Sequence, residues 1–347
     1  GKTWDTLGLA DTRQISGVIV HPWNPDIVYV AALGHMSGPN PERGVYKSID
    51  GGMTWKAFNS GLSNTRVLGL ALNPSSPSTL IAGTAKGIFR TLDSGTSWVA
   101  ETNGIGRPQV NVVVYDPSDS AVVYTGTTNG VFKSADGGVQ WTNISSGLMA
   151  RDFVALLVDP SNPLVVYTGA RGTNFSGGTN DAFLVKLSPD GSTLEYGFTF
   201  GGTKTDEARA VAVDTNRSAF VTGLTLSKNF PVNGAIEKWQ GTNSGNTDAF
   251  IAQFDPTGAS NVLAVLIGGK RNDSGRAIAL DGLGGVYIAG ASDSQNLPNT
   301  NAVQRTRAGD KEDAFLSKVR WMETATEGLQ IAPNRIVRES PQPSARP

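Results

Sequence analysis

The sequence predicts an all-β protein, a single β-propeller of six four-stranded blades closed by its own N-terminal strand. Three observations carry this expectation. The stretch Gly44-Val45-Tyr46-Lys47-Ser48-Ile49-Asp50-Gly51-Gly52-Met53-Thr54-Trp55 returns from Gly87 to Trp98 and again from Gly130 to Trp141. Its aspartates stand at 50, 93 and 136, a step of 43 residues each time, and a fixed period of that size marks stacked supersecondary units. A second, longer repeat follows it. Finally, 42 Gly and 18 Pro with only 17% charged residues suit a chain of many short strands and turns.

Each copy of the first repeat reads as a strand-turn-strand hairpin. Val45-Tyr46-Lys47 mixes apolar and polar positions as a half-buried strand does. Asp-Gly-Gly supplies the turn, because glycine accepts positive φ and an Asp side chain bonds amides just ahead of it. The Trp that follows is expected to open the next strand and cover the hairpin.

Taken in order, the chain gives six units: 15–62, 64–106, 109–148, 151–206, 207–273 and 274 onward. Before the first, Gly1-Lys2-Thr3-Trp4 looks like the end of a further hairpin of the same type, and residues 1–14 are expected to supply the closing strand. In the first unit Val18-Ile19-Val20 and Ile27-Val28-Tyr29-Val30 are strands about the turn His21-Pro22-Trp23-Asn24-Pro25. Asn73-Pro74, Asp116-Pro117 and Asp159-Pro160 hold the same turn position in the next three units, so the register survives into the fourth. From there Asp181-Ala182-Phe183 is echoed by Asp248-Ala249-Phe250 and Asp313-Ala314-Phe315. Gly201-Gly202 and Asp206 are matched 67 residues later by Gly268-Gly269 and Asp273. The longer period is explained by insertions between second and third strands, such as 224–247, which are expected to be surface loops. The sixth unit has three clear strands. Its fourth is expected from Thr3-Trp4-Asp5-Thr6-Leu7, since an open propeller leaves exposed edges; Arg320 to Thr324 is the rival donor. Residues 331–347 are polar and Pro-rich and read as an extended tail.

The pattern Ser-x-Asp-x-Gly-x-x-Trp resembles the Asp-box of BNR, sialidase-like and sortilin-like propellers. The second repeat, with its Asn229-Phe230-Pro231 segment, resembles the SBBP-type repeat of large bacterial surface and secreted proteins. The first resemblance implies a folding role, on an outer blade turn remote from any active site, for Ser48, Asp50, Gly52, Trp55, Asp93, Gly95, Trp98, Ser134, Asp136, Gly138 and Trp141. Together the two imply an exported protein, extracellular or periplasmic, with blades at 15–150 and 151–320.

The chemistry-bearing residues leave little over. Thirty acidic against twenty-nine basic residues give a net charge of -1, so no global field draws nucleic acid. No apolar run reaches the roughly 18 residues of a membrane span, and with no Cys there are neither disulfides nor thiolate chemistry. His21 and His35 are the only histidines and lack metal-ligand spacing; His21 stands at a turn position, and no cofactor is expected. A sialidase needs an arginine triad and a Tyr-Glu pair, and other glycosidases need two carboxylates across a cleft. Arg13, Arg43, Arg66, Arg107 and Arg151 lie near blade starts or loops without a triad motif. Gly201-Gly202-Thr203-Lys204-Thr205 lacks phosphate-loop spacing and reads as a blade-to-blade turn. The expected function is therefore non-catalytic, a scaffold for protein partners. The alternatives are a glycan-binding or glycan-hydrolysing propeller and an accessory subunit of a large membrane-associated complex. Candidate recognition residues lie on second-to-third-strand loops: His35, Arg43, Phe230 and Trp239, the two aromatics reading equally as apolar anchors or as core cover.

Overall fold

The computed structural model describes residues 8–12, 14–34, 40–146, 148, 152–163, 165–171, 181–188, 193–232, 246–258, 261–297, 313–322, 330–331 and 337–339. They form six blades of a β-propeller, each an antiparallel sheet whose strands lie side by side in chain order. The first blade is β1 (Ile15–Val20), β2 (Val28–Ala32), β3 (Gly44–Ser48) and β4 (Lys56–Ala57). The second is β5 (Val67–Leu72), β6 (Leu80–Thr84), β7 (Gly87–Thr91) and β8 (Val99–Glu101). The third is β9 (Val110–Tyr115), β10 (Val123–Thr127), β11 (Gly130–Ser134) and β12 (Thr142–Asn143). The fourth is β13 (Asp152–Val158), β14 (Val166–Arg171), β15 (Ala182–Leu187) and β16 (Leu194–Phe200). The fifth is β17 (Asp206–Val213), β18 (Ala219–Thr225), β19 (Asp248–Phe254) and β20 (Asn261–Ile267). The sixth holds β21 (Asp273–Leu280), β22 (Gly285–Ser292) and β23 (Asp313–Met322), with β24 (Gln330–Ile331) and β25 (Val337–Glu339) both paired to β23. Among the described residues there is no α-helix; Ala10–Thr12 is a single 3-10 turn.

By internal packing the chain divides into two units. One comprises Thr3–Val166 with Leu187–Thr193; the other comprises Gly1–Lys2, Tyr167–Lys186 and Leu194–Pro347. In the first, consecutive blades meet through their opening strands. Ser16 Oγ donates to the Val67 carbonyl at 2.7 Å, and Asn111 Nδ2 donates to Asp152 Oδ1 at 2.7 Å and the Phe153 carbonyl at 2.9 Å. Apolar residues fill the spaces between: Tyr29, Val45, Leu62, Leu80, Phe89 and Trp98 form one cluster, and Ile81, Ile88, Val110, Val123, Phe132 and Trp141 another. In the second unit Phe220, Ile251, Leu263, Val265, Ile288 and Phe315 play that part. In the second, third and fifth blades the second strand, β6, β10 and β18, is buried along its whole length, which is why these strands read as continuous apolar or small runs rather than alternating ones.

Second and third strands also share a cross-strand cation–aromatic pair. Tyr29 stands opposite Lys47, Tyr124 opposite Lys133 and Tyr287 opposite Lys318. The ammonium lies 5.2, 5.5 and 4.4 Å from the ring centroid respectively. Such a pair covers the ring's face while the charge stays wet.

The expected closing strand at 3–7 lies outside the described residues. Beside β23 stand the two short strands β24 and β25, so the segment read as an extended tail supplies part of the pairing on that edge. Arg320–Met322, offered as the rival fourth strand, instead continue β23. The physical reason is the same in both cases: a third strand with an open edge presents unpaired N–H and C=O groups that any neighbouring extended segment can satisfy.

Candidate functional site

Two sets of repeated carboxylates are the strongest candidates for chemistry, one in each half of the sequence. The first lies in the turns after β3, β7 and β11. Ser48 Oγ donates to Asp50 Oδ1 at 2.7 Å and accepts from the Gly52 amide at 2.8 Å. Asp50 also accepts from the Thr54 amide and hydroxyl, at 2.9 and 2.5 Å. Thr91 takes Ser48's place in the second copy. It donates to Asp93 at 2.6 Å and accepts from Gly95 at 3.0 Å, while Ser97 gives Asp93 an amide and a hydroxyl at 2.9 and 2.6 Å. In the third, Ser134 bonds Asp136 at 2.7 Å and Gly138 at 2.9 Å, and Asp136 accepts the Val139 and Gln140 amides at 3.0 and 2.9 Å.

Donors on every side hold these carboxyls ionised. The Thr54 hydroxyl, followed by its amide and Ser48, lowers Asp50 to about 2; the Ser97 and Thr91 hydroxyls lower Asp93 to about 2. For Asp136, slight burial pushes upward, and the Gln140, Ser134 and Val139 bonds together outweigh it and hold the group low. The turn needs positive φ at Gly52, Gly95 and Gly138 (96°, 90° and 93°), a region open to glycine at little cost. Ser94 adopts φ 61° where the other two copies have Gly51 and Gly137.

The tryptophans correct one expectation. Trp98 does not simply cover its own hairpin: its indole N–H reaches back 40 residues to the Phe58 carbonyl at 2.9 Å, and its amide bonds Ser60 O at 2.9 Å. Its ring lies among Tyr29, Val45 and Leu62 of the preceding blade, and it is 3% exposed. Trp141 bonds Gly138 O in its own turn at 3.1 Å, yet its amide and ring also meet the preceding blade, at Asn103 O and beside Ile81 and Ile105. Trp55 is half-buried, its ring edge 3.3 Å from where a Cβ on Gly8 would stand. The aromatic lid thus clamps two blades together, a role only the tertiary structure reveals.

The second set joins blades in the other unit. Asp206, at the start of β17, is fully buried; its Oδ2 accepts from the Gly202 amide at 2.7 Å and from Ser227 Oγ at 2.9 Å. Ser227 Oγ and Asn229 Oδ1 accept the Lys204 and Thr203 amides at 2.9 and 3.0 Å, so the chain leaving β18 folds back to hold the loop entering β17. The arrangement recurs around Asp273, with Gly269 and Ser294 both at 2.7 Å, and Asn296 accepting from Lys270 at 2.8 Å. Asp181 and Asp248 are fully buried beside these joints. Burial raises both Asp206 and Asp273, against the opposing hydroxyl and amide bonds. The earlier reading of Gly201-Gly202 as a blade-to-blade turn agrees with this geometry. The carboxyl pairing was not foreseen, although its signal, Gly-Gly, Asp and Ser-x-Asn repeated at one spacing, stands in the sequence.

The recognition-loop residues divide. His35 and Trp239 lie outside the described residues. Arg43 donates from Nε to the Leu33 carbonyl at 2.8 Å, fastening the base of its loop. Of its two readings, anchor or core cover, Phe230 takes the second: it is 3% exposed, stacked on Phe250 at 4.9 Å and edge-on to Phe200 at 6.3 Å. An Asn cap one residue earlier forces the side chain inward, and Leu297, 2% exposed, takes the same place in the next blade. His21 serves its turn, accepting at Nδ1 from the Trp23 and Asn24 amides, both at 3.2 Å. Among the described residues no group of three or more His, Cys, Asp or Glu is placed to hold a metal ion, and no helix is long and apolar enough to cross a membrane.

Against known proteins, the SBBP family, a β-propeller repeat, matches residues 193–231 and 264–298. Both matched segments end on the proline after the Asn cap, Pro231 and Pro298. A search of the curated proteins finds no match. Among solved structures, an ancestral GH74 enzyme is 15% identical, covering 95% of this chain and 48% of its own, with a TM-score of 0.50. A GH74 enzyme from Niastella koreensis is 16% identical, covering 94% and 61%, with a TM-score of 0.51. The GH74 xyloglucanase from Xanthomonas campestris is 16% identical, covering 94% and 47%, with a TM-score of 0.54. At that identity the likeness is one of fold, and the chain spans about half the length of the structures it matches.

Proposed function

We propose that this chain is a non-catalytic β-propeller scaffold, exported from a bacterial cytoplasm, that binds protein partners, and that its first three blades carry Asp-boxes of the BNR type. One observation carries the reading: the signature carboxylates recur at equivalent positions, and each is engaged with its own turn or buried in a joint. Asp50, Asp93 and Asp136 are surrounded by donors from their own turns. Asp181, Asp206, Asp248 and Asp273 are buried at 0 to 1% exposure, beyond the reach of a polysaccharide. Glycoside hydrolysis requires one asymmetric acid pair facing a cleft, and repetition at symmetric sites favours architecture. The SBBP match and the two resemblances support an exported setting, and loops between second and third strands supply a variable surface on a rigid frame.

The experiment is paired. The full chain, immobilised, is exposed to extract from the native source, and the free chain is assayed on xyloglucan, β-glucans and sialosides. A saturable protein partner without turnover supports the scaffold. Turnover that a single carboxylate-to-amide change abolishes overturns it.

A further inference from the structure

One end of the first unit carries side chains for which the fold has no use. In an antiparallel blade with strands in chain order, the turns after the first and third strands lie at the same end. In the first three blades these two turns are tied together. The Gly51, Ser94 and Gly137 amides of the signature turns donate to the Asp26, Ser78 and Ala121 carbonyls at 2.9, 2.8 and 2.8 Å. Neighbouring blades are joined at that end too: Asn73 Nδ2 donates to the Ser120 carbonyl at 3.2 Å and the Tyr29 hydroxyl to the Ser94 carbonyl at 3.5 Å. The turns of the three blades therefore make one continuous, fixed surface.

Large apolar side chains stand open to water on it. Trp23 is 69% exposed, Ile49 71%, Met53 78% and Leu92 61%. Ile49 and Leu92 hold the same position of the repeat, between the hydroxyl residue and its aspartate, where the third copy has Ala135. The turn asks nothing of that side chain, since its bonds are made by the flanking hydroxyl and carboxyl and by backbone amides. A single exposed leucine needs no explanation; four large apolar groups on one end of one unit do.

Charge on the same surface has one sign. The turns 21–27, 49–54, 73–79, 92–97, 116–122 and 135–140 contain no Lys or Arg, whereas Asp26, Asp93, Asp119 and Asp136 are exposed on them and Asp50 partly so. The cations that border the turns are drawn to groups of their own blades. Lys47 and Lys56 lie 5.4 and 5.8 Å from the Phe58 ring, Lys133 lies 5.5 Å from the Tyr124 ring, and Arg90 meets Glu101 at 2.9 Å. Arg66, Lys86 and Arg107 are exposed in connections at the opposite end of the strands.

We propose that the turn face of the first three blades docks a basic, amphipathic segment of a partner protein, its apolar side chains set on Trp23, Ile49, Met53 and Leu92 and its lysines or arginines against the surrounding aspartates. The inference rests on the scaffold reading and gives that scaffold's partner a chemistry and a place. Complementary charge selects such a segment, and the same aspartates repel nucleic acid and anionic lipid. Turns already locked by hydrogen bonds lose little freedom when they bind.

The test titrates the full chain with two synthetic peptides, one of leucine and lysine at helical spacing, the other with glutamate in place of every lysine. Fluorescence anisotropy reads affinity, and methyl resonances of Ile49, Met53 and Leu92 read the place of contact. The lysine peptide is expected to bind and shift those methyls, the glutamate peptide not to bind, and added salt to weaken the complex. Ile49→Ser/Leu92→Ser is expected to weaken binding about tenfold or more at an unchanged urea midpoint, because both side chains are exposed. Leu283→Ser, altering a leucine 78% exposed in the second unit, is expected to leave it unchanged. Unshifted methyls, equal binding of both peptides, or full affinity in the double variant overturns the proposal. So does self-association in sedimentation that the double variant abolishes, which would give the face to a second copy. Capture from native extract separates the two readings: a protein held equally by wild type and double variant leaves the scaffold standing and moves its docking surface elsewhere, whereas no captured protein at all removes both.

Discussion

Replacing Trp98 by alanine tests whether the signature aromatics clamp blades. The indole is 3% exposed among Tyr29, Val45, Leu62 and Phe89, and its N–H is bonded to Phe58 O at 2.9 Å. The structure around it cannot easily collapse, because Gly61 gives up its side chain to admit the Trp98 backbone: a Cβ there would lie 2.1 Å from Trp98 O. Truncating a buried aromatic costs about 3–5 kcal/mol. Trp98→Phe separates the parts: it retains most of the apolar contact but leaves the Phe58 carbonyl without its donor, for about 1–3 kcal/mol. Urea unfolding followed by circular dichroism measures both, with hydrogen exchange at Ser60 to Leu62 reporting the joint itself. A Trp98→Ala loss below about 1 kcal/mol, within the ordinary range of surface substitutions, or unchanged exchange at that joint, refutes the clamp.

The remaining expectations are narrower. Ser94→Gly should stabilise the second blade by about 0.5–1 kcal/mol in the same assay, since Ser94 holds a left-handed conformation that costs an L-residue about 1–2 kcal/mol and glycine recovers part of it. Phe230→Ala should cost about 3–5 kcal/mol while leaving partner affinity per folded molecule unchanged; lost affinity at full stability would return Phe230 to the recognition surface. Acid should loosen the signature turns of the first unit. Asp50 and Asp93 stand at about 2, below the unfolded value near 4. Their contribution is therefore present above pH 4 and lost as pH falls toward 2. Nuclear magnetic resonance titration should show the Thr54 and Ser97 amides shifting in that window; midpoints near 4 would contradict the turn geometry.

The blades were legible because their signal is local and repeated. Asp50, Asp93 and Asp136 fix the period of the first three blades, the Asn73-Pro74 type of turn carries the register into the fourth, and the echoes of Asp181-Ala182-Phe183 mark the rest, so six sheets could be expected from the two repeats. What escaped were partnerships across blades. Nothing near Trp98 in sequence announces Phe58, and the opposition of Asp206 to Asp181 depends on Gly201 lying between them. Phe230 is ambiguous in the sequence for a different reason. An aromatic inside a polar insertion resembles an exposed anchor, and only the cap made by Asn229 shows that the chain has already turned back to the core. Edge pairing was the hardest to read, since any extended segment can satisfy an open strand, and β24 and β25 carry little apolar pattern of their own.

The most direct measurement is residue-level hydrogen exchange at Gly52, Gly95 and Gly138. These amides are buried beneath turns whose tips are exposed, and they donate to Ser48, Thr91 and Ser134 hydroxyls at 2.8, 3.0 and 2.9 Å. If the repeated side chains serve architecture, all three exchange slowly in the wild type and rapidly once Ser48, Thr91 and Ser134 are changed to alanine. Exchange at the rate of an unstructured loop in the wild type itself would contradict the account.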